Sequence, residues 1–251
     1  MSLFITFLCL VIPFAVLIGV HNLIARFVMP SVSRSPVSRS LYYGSALVGT
    51  PIHELSHAIV AVMFGHKIEK ISLINFSHDG RLGYVIHRWN KGSLYQNMGL
   101  FFIAMAPLLS AIIILNMGSS FLDISTYTYP YQNNVANWPS VFYRNMAHFV
   151  EKMMVYRQDI GWIVLGSIIC FHCIPSRSDF NNALKGSLIV FVMLAAFLTI
   201  CHWMGWQSVN DKLFSVWLMG IGALNLIFLS SILWWLILGS ASLLFRRQGV
   251  I

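Results

Sequence analysis

The chain has 251 residues, of which 57% are hydrophobic and only 10% charged, whereas a soluble globular domain carries about a quarter charged residues. The formal charge of +8 is not a nucleic-acid footprint, because the 16 Lys and Arg are scattered between apolar runs and after the last one, with no basic and aromatic interleaving on a polar surface. No polar stretch is large enough to fold a second core, so residues 1–251 are expected to form a single membrane-embedded domain in the lipid bilayer.

Taken in chain order, Phe4 to Ala25 runs without a charge except at its histidine, long enough to cross a hydrocarbon core of roughly 30 Å. No basic n-region precedes it and no small-residue cleavage site follows, so it reads as a retained span. Ser31 to Ser40 (SVSRSPVSRS) reads as a polar, basic connection, and Leu41 to Gly65 as the second span, with HELSH in its middle. From Lys67 to Trp89 apolar residues alternate with polar ones around Asp79-Gly80, which predicts a β-hairpin. Met98 to Met117 is the third span. Residues 118–159 form an aromatic-rich connection in which Val141, Phe142, Phe149, Val150, Met153 and Met154 suggest an interfacial helix. Ile160 to Ile174 is a short fourth span ended by Pro175, and the polar backbone from Pro175 to Asn182 is expected to stay irregular and line a water-accessible cavity. Ala183 to Trp206 and Leu213 to Phe245 supply spans five and six. The predicted fold is therefore an all-α polytopic membrane protein of about six transmembrane helices, with a small β-hairpin between helices two and three.

Under six spans the face carrying both termini holds nine Lys and Arg and the opposite face seven. That bias favours cytoplasmic termini, with the hairpin and Asp179 on the same side. Compact connections and the retained first span suit a prokaryotic plasma membrane. No connection is long enough for a soluble regulatory module.

The chemistry centres on span two. Residues four apart on a helix face the same way, so His53 and His57 can offer two imidazoles to one Zn²⁺, while Glu54 flanks the water that such an ion acidifies from above 15 to about 7. With nine His and three Glu in the chain, chance alone yields HExxH in roughly four of a thousand such chains. Independently, a glutamate in mid-membrane costs several kcal/mol unless paired or functional. The competing reading is a buried polar cluster that ties helices together. A catalytic zinc needs a third protein ligand and one open position. Asp179, the acid just beyond the broken fourth span, is the first choice. His172, one turn before Pro175, is the rival, or otherwise a donor to a ligand or to an oxyanion. The structural alternative is a helix cap, with Ser178 or Asp179 standing before FNNALKG.

The remaining candidates read as structural. Cys9, Cys170, Cys173 and Cys201 are expected to be free thiols, since the single CxxC has no second pair. His66, His78 and His87 are expected to be solvated, and His21 and His202 to bond to neighbouring helices.

GTPIHELSHAIVAVMFG in a span, the hairpin after it and a later span ending in a proline-broken acidic motif resemble the site-2-type intramembrane zinc metalloproteases over roughly Leu41 to Gly186. The resemblance implies that His53, His57 and Asp179 bind one zinc, that Glu54 is the general base, and that the substrate is a transmembrane or membrane-proximal peptide. The acidic motif departs from the family pattern: HCIPSRSDFNNALKG has His172 where the family carries Asn, one residue fewer before the acid, and Phe180 after it. Two further classes remain open on the residues alone: a membrane zinc hydrolase or transferase with a non-peptide substrate, and a non-catalytic protein with a structural metal.

Overall fold

The computed structural model describes residues 3–75, 81–121 and 160–245. Among these are six helices and one two-stranded sheet: α1 (Leu3–Arg34), α2 (Pro36–Met63), β1 (Lys67–Ser72), β2 (Tyr84–Arg88), α3 (Leu94–Phe121), α4 (Ile160–His172), α5 (Arg177–Trp203) and α6 (Gln207–Leu244). Five helices contain segments long and apolar enough to cross a membrane: Phe14–Arg34, Pro36–Met63, Leu94–Gly118, Arg177–Cys201 and Ala223–Leu244. The exception is α4, whose 13 residues reach only about 20 Å. The Asp79-Gly80 turn, His78 and the expected interfacial helix at 141–154 lie outside the described residues, as do the side chains of Cys9 and His202.

Polar connection SVSRSPVSRS is not a loop, contrary to the sequence reading. Helix α1 runs on to Arg34 and α2 starts at Pro36, leaving Ser35 as the single residue between them. Local bonds make this possible: Ser33 Oγ donates to the Met29 carbonyl at 2.9 Å and Arg34 Nε to that of Pro30 at 3.0 Å, folding both polar side chains back on α1, and the Ser35 amide meets the terminal carbonyls of Ser31 and Val32 at 3.3 Å. Ser35, in extended conformation, accepts the Ser38 amide, and Pro36 sits where a missing N–H costs nothing.

Helix α2 is inside out by the standards of a soluble protein. Its buried residues include Ser38, Ser45, Thr50, His53, Glu54, Ser56 and His57, while Leu47, Leu55, Ile59 and Val62 are exposed. Lipid is the natural solvent for that outer face, and the polar stripe must find partners inside. It does so against α3, α4 and α6; Ser38 Oγ, for example, donates to the Leu238 carbonyl at 2.7 Å. Elsewhere α3 packs on α5 and α1 on α6. Core residues include Leu17, Leu108, Cys170, Cys173, Ile174, Leu224 and Ile227, with a second cluster of Val32, Phe171, Trp235 and Leu238. Cys170, Cys173 and Cys201 are buried free thiols, as expected.

Strands β1 and β2 are antiparallel, with Ile68 opposite His87 and Ser72 opposite Tyr84, and a bulge between Ile68 and Lys70. Glu69 at the bulge meets Arg88 at 3.2 Å on an exposed face, a pair worth at most about 1 kcal/mol.

Candidate metal centre

His53 and His57 stand on successive turns of α2, their Nε2 atoms 3.0 Å apart. Asp179, in the first turn of α5, reaches both: its Oδ2 lies 3.6 Å from His53 Nε2 and its Oδ1 lies 3.5 Å from His57 Nε2. Ligand atoms held tetrahedrally at about 2.05 Å from an ion stand about 3.3 Å from one another. The three observed separations bracket that value, and the group can hold a metal ion.

Hydrogen bonds on the far side of each ring set what the near side offers. His57 Nδ1–H donates to the Ile103 carbonyl on α3 at 2.7 Å, and His53 Nδ1–H to the His172 carbonyl at the end of α4 at 2.8 Å. A carbonyl only accepts, so in the neutral rings each Nε2 keeps its lone pair. Two lone pairs 3.0 Å apart beside a carboxylate repel one another unless a proton or a cation sits among them.

Asp179 resolves two sequence readings into one. Ser176 N–H and Ser176 Oγ–H both donate to its Oδ2, at 2.8 and 2.6 Å, and the Asp179 amide returns a bond to Ser176 Oγ at 3.2 Å. This reciprocal capping box starts α5 at Arg177. The same carboxylate therefore caps the helix and faces the histidines. Irregular backbone covers only residues 173–176, not the whole stretch to Asn182, because the box lets the helix resume within two residues of Pro175.

His172 does not join the cluster. Its imidazole turns to Ser45, with Nε2 2.9 Å from the Ser45 hydroxyl, and it serves His53 through its backbone carbonyl, as acceptor and not as donor. Gly49 makes room for it: a Cβ there would collide with the Cβ and ring of His172.

Glu54 is 8% exposed, and its carboxylate has no hydrogen-bond partner among the described residues. It lines a cavity of about 560 Å³ shared with His53, His57 and Asp179, whose wall on one side is the segment from Arg81 to His87. No residue of β1 lines it, so β2 is the strand nearer the centre. The approach is close: a Cβ on Gly83 would stand 2.6 Å from Glu54 Cγ and 2.9 Å from Thr50 Cγ2. Ser176, Ser178 and Asn182 line the same cavity, which gives it the polar wall expected beyond the fourth span.

Sequence reasoning misplaced His66, which is buried, and did not foresee that the half-buried His87 pairs with it. His66 is buried, its ring parallel to Trp89 within 14°, and its Nδ1 lies 3.0 Å from His87 Nδ1. His66 Nε2–H donates to the Gln96 carbonyl at 2.8 Å, so His66 Nδ1 accepts from His87 Nδ1–H. Burial pushes the His66 imidazole below its ordinary range, and burial with the neighbouring His66 pushes His87 down to about 4. The signal was the strand pairing Lys67↔Arg88, which sets His66 and Trp89 side by side at the hairpin base. His21 bonds across to α6 as expected, with Nδ1 2.8 Å from Ser231 Oγ.

No known family, curated protein or solved structure matches this chain.

Proposed function

We propose that the protein is a divergent intramembrane zinc endopeptidase of the site-2 type. The observation that carries the reading is the pair of imidazole lone pairs, each fixed by a carbonyl behind it, converging with one carboxylate in a cavity also lined by Glu54, whose carboxylate has no hydrogen-bond partner among the described residues. Two histidines and one carboxylate are a catalytic donor set for zinc, since they leave a fourth position open. When bound, zinc acidifies a water and polarises the carbonyl oxygen under attack. Glu54 would serve as general base, taking the proton of the attacking water as the water's oxygen bonds to the carbonyl carbon, and then as general acid, giving it to the nitrogen as the C–N bond breaks. The Asp179 carboxylate, held by Ser176, keeps its orientation through the cycle.

A transmembrane helix must unwind before its amides can be attacked. Strand β2 runs along the cavity wall, and the unwound segment would gain main-chain hydrogen bonds by adding to its edge. The polar wall of Ser176, Ser178 and Asn182 admits water. The substrate is a membrane protein or peptide, the location a prokaryotic plasma membrane with both termini cytoplasmic.

The test pairs Glu54→Gln with the native protein in detergent or nanodiscs, using single-span substrates read by mass spectrometry. The variant keeps its zinc and loses cleavage by at least about a hundredfold. Cleavage that survives Glu54→Gln, or that persists after zinc is chelated, refutes the assignment.

A further inference from the structure

The cavity does not end at the metal centre. It continues between α1, α2, α4 and α6 into a chamber walled by Tyr42, Phe171 and Trp235, with His21, Asn22 and His172 on its lining. The rings meet edge to face: Phe171 stands 5.1 Å from Trp235 at 73° and 6.4 Å from Tyr42 at 86°. None of these residues has a part in the hydrolytic step described above, apart from the backbone carbonyl of His172.

What the walls leave unsatisfied is specific. Trp235 Nε1–H donates to His21 Nδ1 at 3.3 Å, so the neutral His21 ring carries its proton on Nε2, which has no partner among the described residues. Ser45 Oγ–H is used on the Tyr42 carbonyl, so His172 Nε2–H donates to Ser45 and His172 Nδ1 keeps its lone pair. Asn22 spends Nδ2 on the Ile18 carbonyl, leaving Oδ1. The Tyr42 hydroxyl has no partner among the described residues. These polar groups belong to half-buried residues that open on the cavity, so an occupant of the otherwise aromatic chamber meets the N–H of His21, the lone pair of His172, the Asn22 amide and the Tyr42 hydroxyl. An aliphatic occupant would cover all four without bonding any, whereas a ring with a polar edge packs on the aromatic walls and fills at least one of these bonds.

We infer that this chamber is a specificity pocket that takes an aromatic side chain with a hydrogen-bonding edge, tyrosine or tryptophan, from the substrate residue beside the scissile bond. This rests on the peptidase reading, and the experiment separates the two. Single-span substrates carrying Tyr, Trp, Phe, Leu or Ala at each position flanking the cleaved bond are incubated with the full-length protein. At one flanking position Tyr and Trp are cleaved at least about fivefold faster than Phe, and Phe faster than Leu. Tyr42→Phe collapses the Tyr-to-Phe ratio toward one. Equal rates, or a preference for Leu or Ala, overturn the pocket while leaving the peptidase intact. If nothing is cleaved, the peptidase reading fails, and the pocket is judged by ¹⁹F NMR of N-acetyl-3-fluorotyrosinamide with Glu54→Gln protein. Line broadening that N-acetyl-leucinamide does not compete away, and that Tyr42→Phe and Trp235→Leu weaken, supports the pocket; no broadening overturns it.

Discussion

Gly83→Ala is the perturbation that reads most directly whether β2 holds the Glu54 carboxylate where the proposed hydrolysis needs it. The backbone at Gly83 is not left-handed, so alanine introduces no conformational strain and the effect is the methyl group alone. That methyl would sit 2.6 Å from Glu54 Cγ, 2.9 Å from Thr50 Cγ2 and 3.0 Å from Glu54 Oε1. Carbon atoms rest at about 3.5 to 4.0 Å, so either Glu54 or the strand must move by about 1 Å. A displacement of that size at a reacting group costs on the order of a hundredfold in rate. Because Glu54 is not among the three converging ligands, bound zinc stays unchanged. The assay is cleavage rate beside zinc content by mass spectrometry, with Gly44→Ala as control: Gly44 lies in α2 with nothing within 4 Å of its added Cβ, and there alanine favours the helix by about 0.5 to 1 kcal/mol. A Gly83→Ala protein that cleaves at the native rate would mean that the strand does not position Glu54, and that hairpin and metal centre work independently.

Two further outcomes are expected. Gly49→Ala forces His172 away from α2 and so pulls its carbonyl from His53; losing such a partner typically weakens metal affinity by 10- to 100-fold, measured by competition with a zinc chelator, and unchanged affinity would show that the carbonyl does not orient His53. Hairpin docking should weaken in acid. His66 and His87 are both held below the free value of about 6.5, so the folded hairpin binds fewer protons than the released one. Its stability is complete above that value and falls as the pH drops toward 4. Hydrogen exchange of the β1 and β2 amides, corrected for intrinsic rates, should show protection lost across that window and the dependence reduced in His87→Phe, where His66 alone remains; flat protection to pH 4.5 would contradict it.

Much of the fold was legible because the membrane imposes it. A span needs about 20 apolar residues, and runs of that length stand out against single charges. The HELSH pair was legible because helical periodicity alone aligns His53 with His57. The third side of the centre was less so: Asp179 could be read as cap or ligand, and the capping box with Ser176 shows that one carboxylate caps the helix while it faces the histidines. The join of α1 and α2 was misread because serine and arginine look like loop residues until their side chains are seen bonding the carbonyls of their own helix. The aromatic chamber had no local signature at all. Its parts come from α1, α2, α4 and α6, and only packing brings His21 against Trp235.

A zinc centre with three protein ligands is tested by zinc stoichiometry together with X-ray absorption on the purified full-length protein. One zinc per chain is expected, bound by two imidazole nitrogens at about 2.0 to 2.1 Å and a carboxylate oxygen at about 2.0 to 2.2 Å. His53→Ala should reduce the imidazole scattering, and Asp179→Ala should remove the carboxylate oxygen from the zinc shell. A folded native protein that takes up no zinc, or whose zinc environment is unchanged by Asp179→Ala, would contradict that centre.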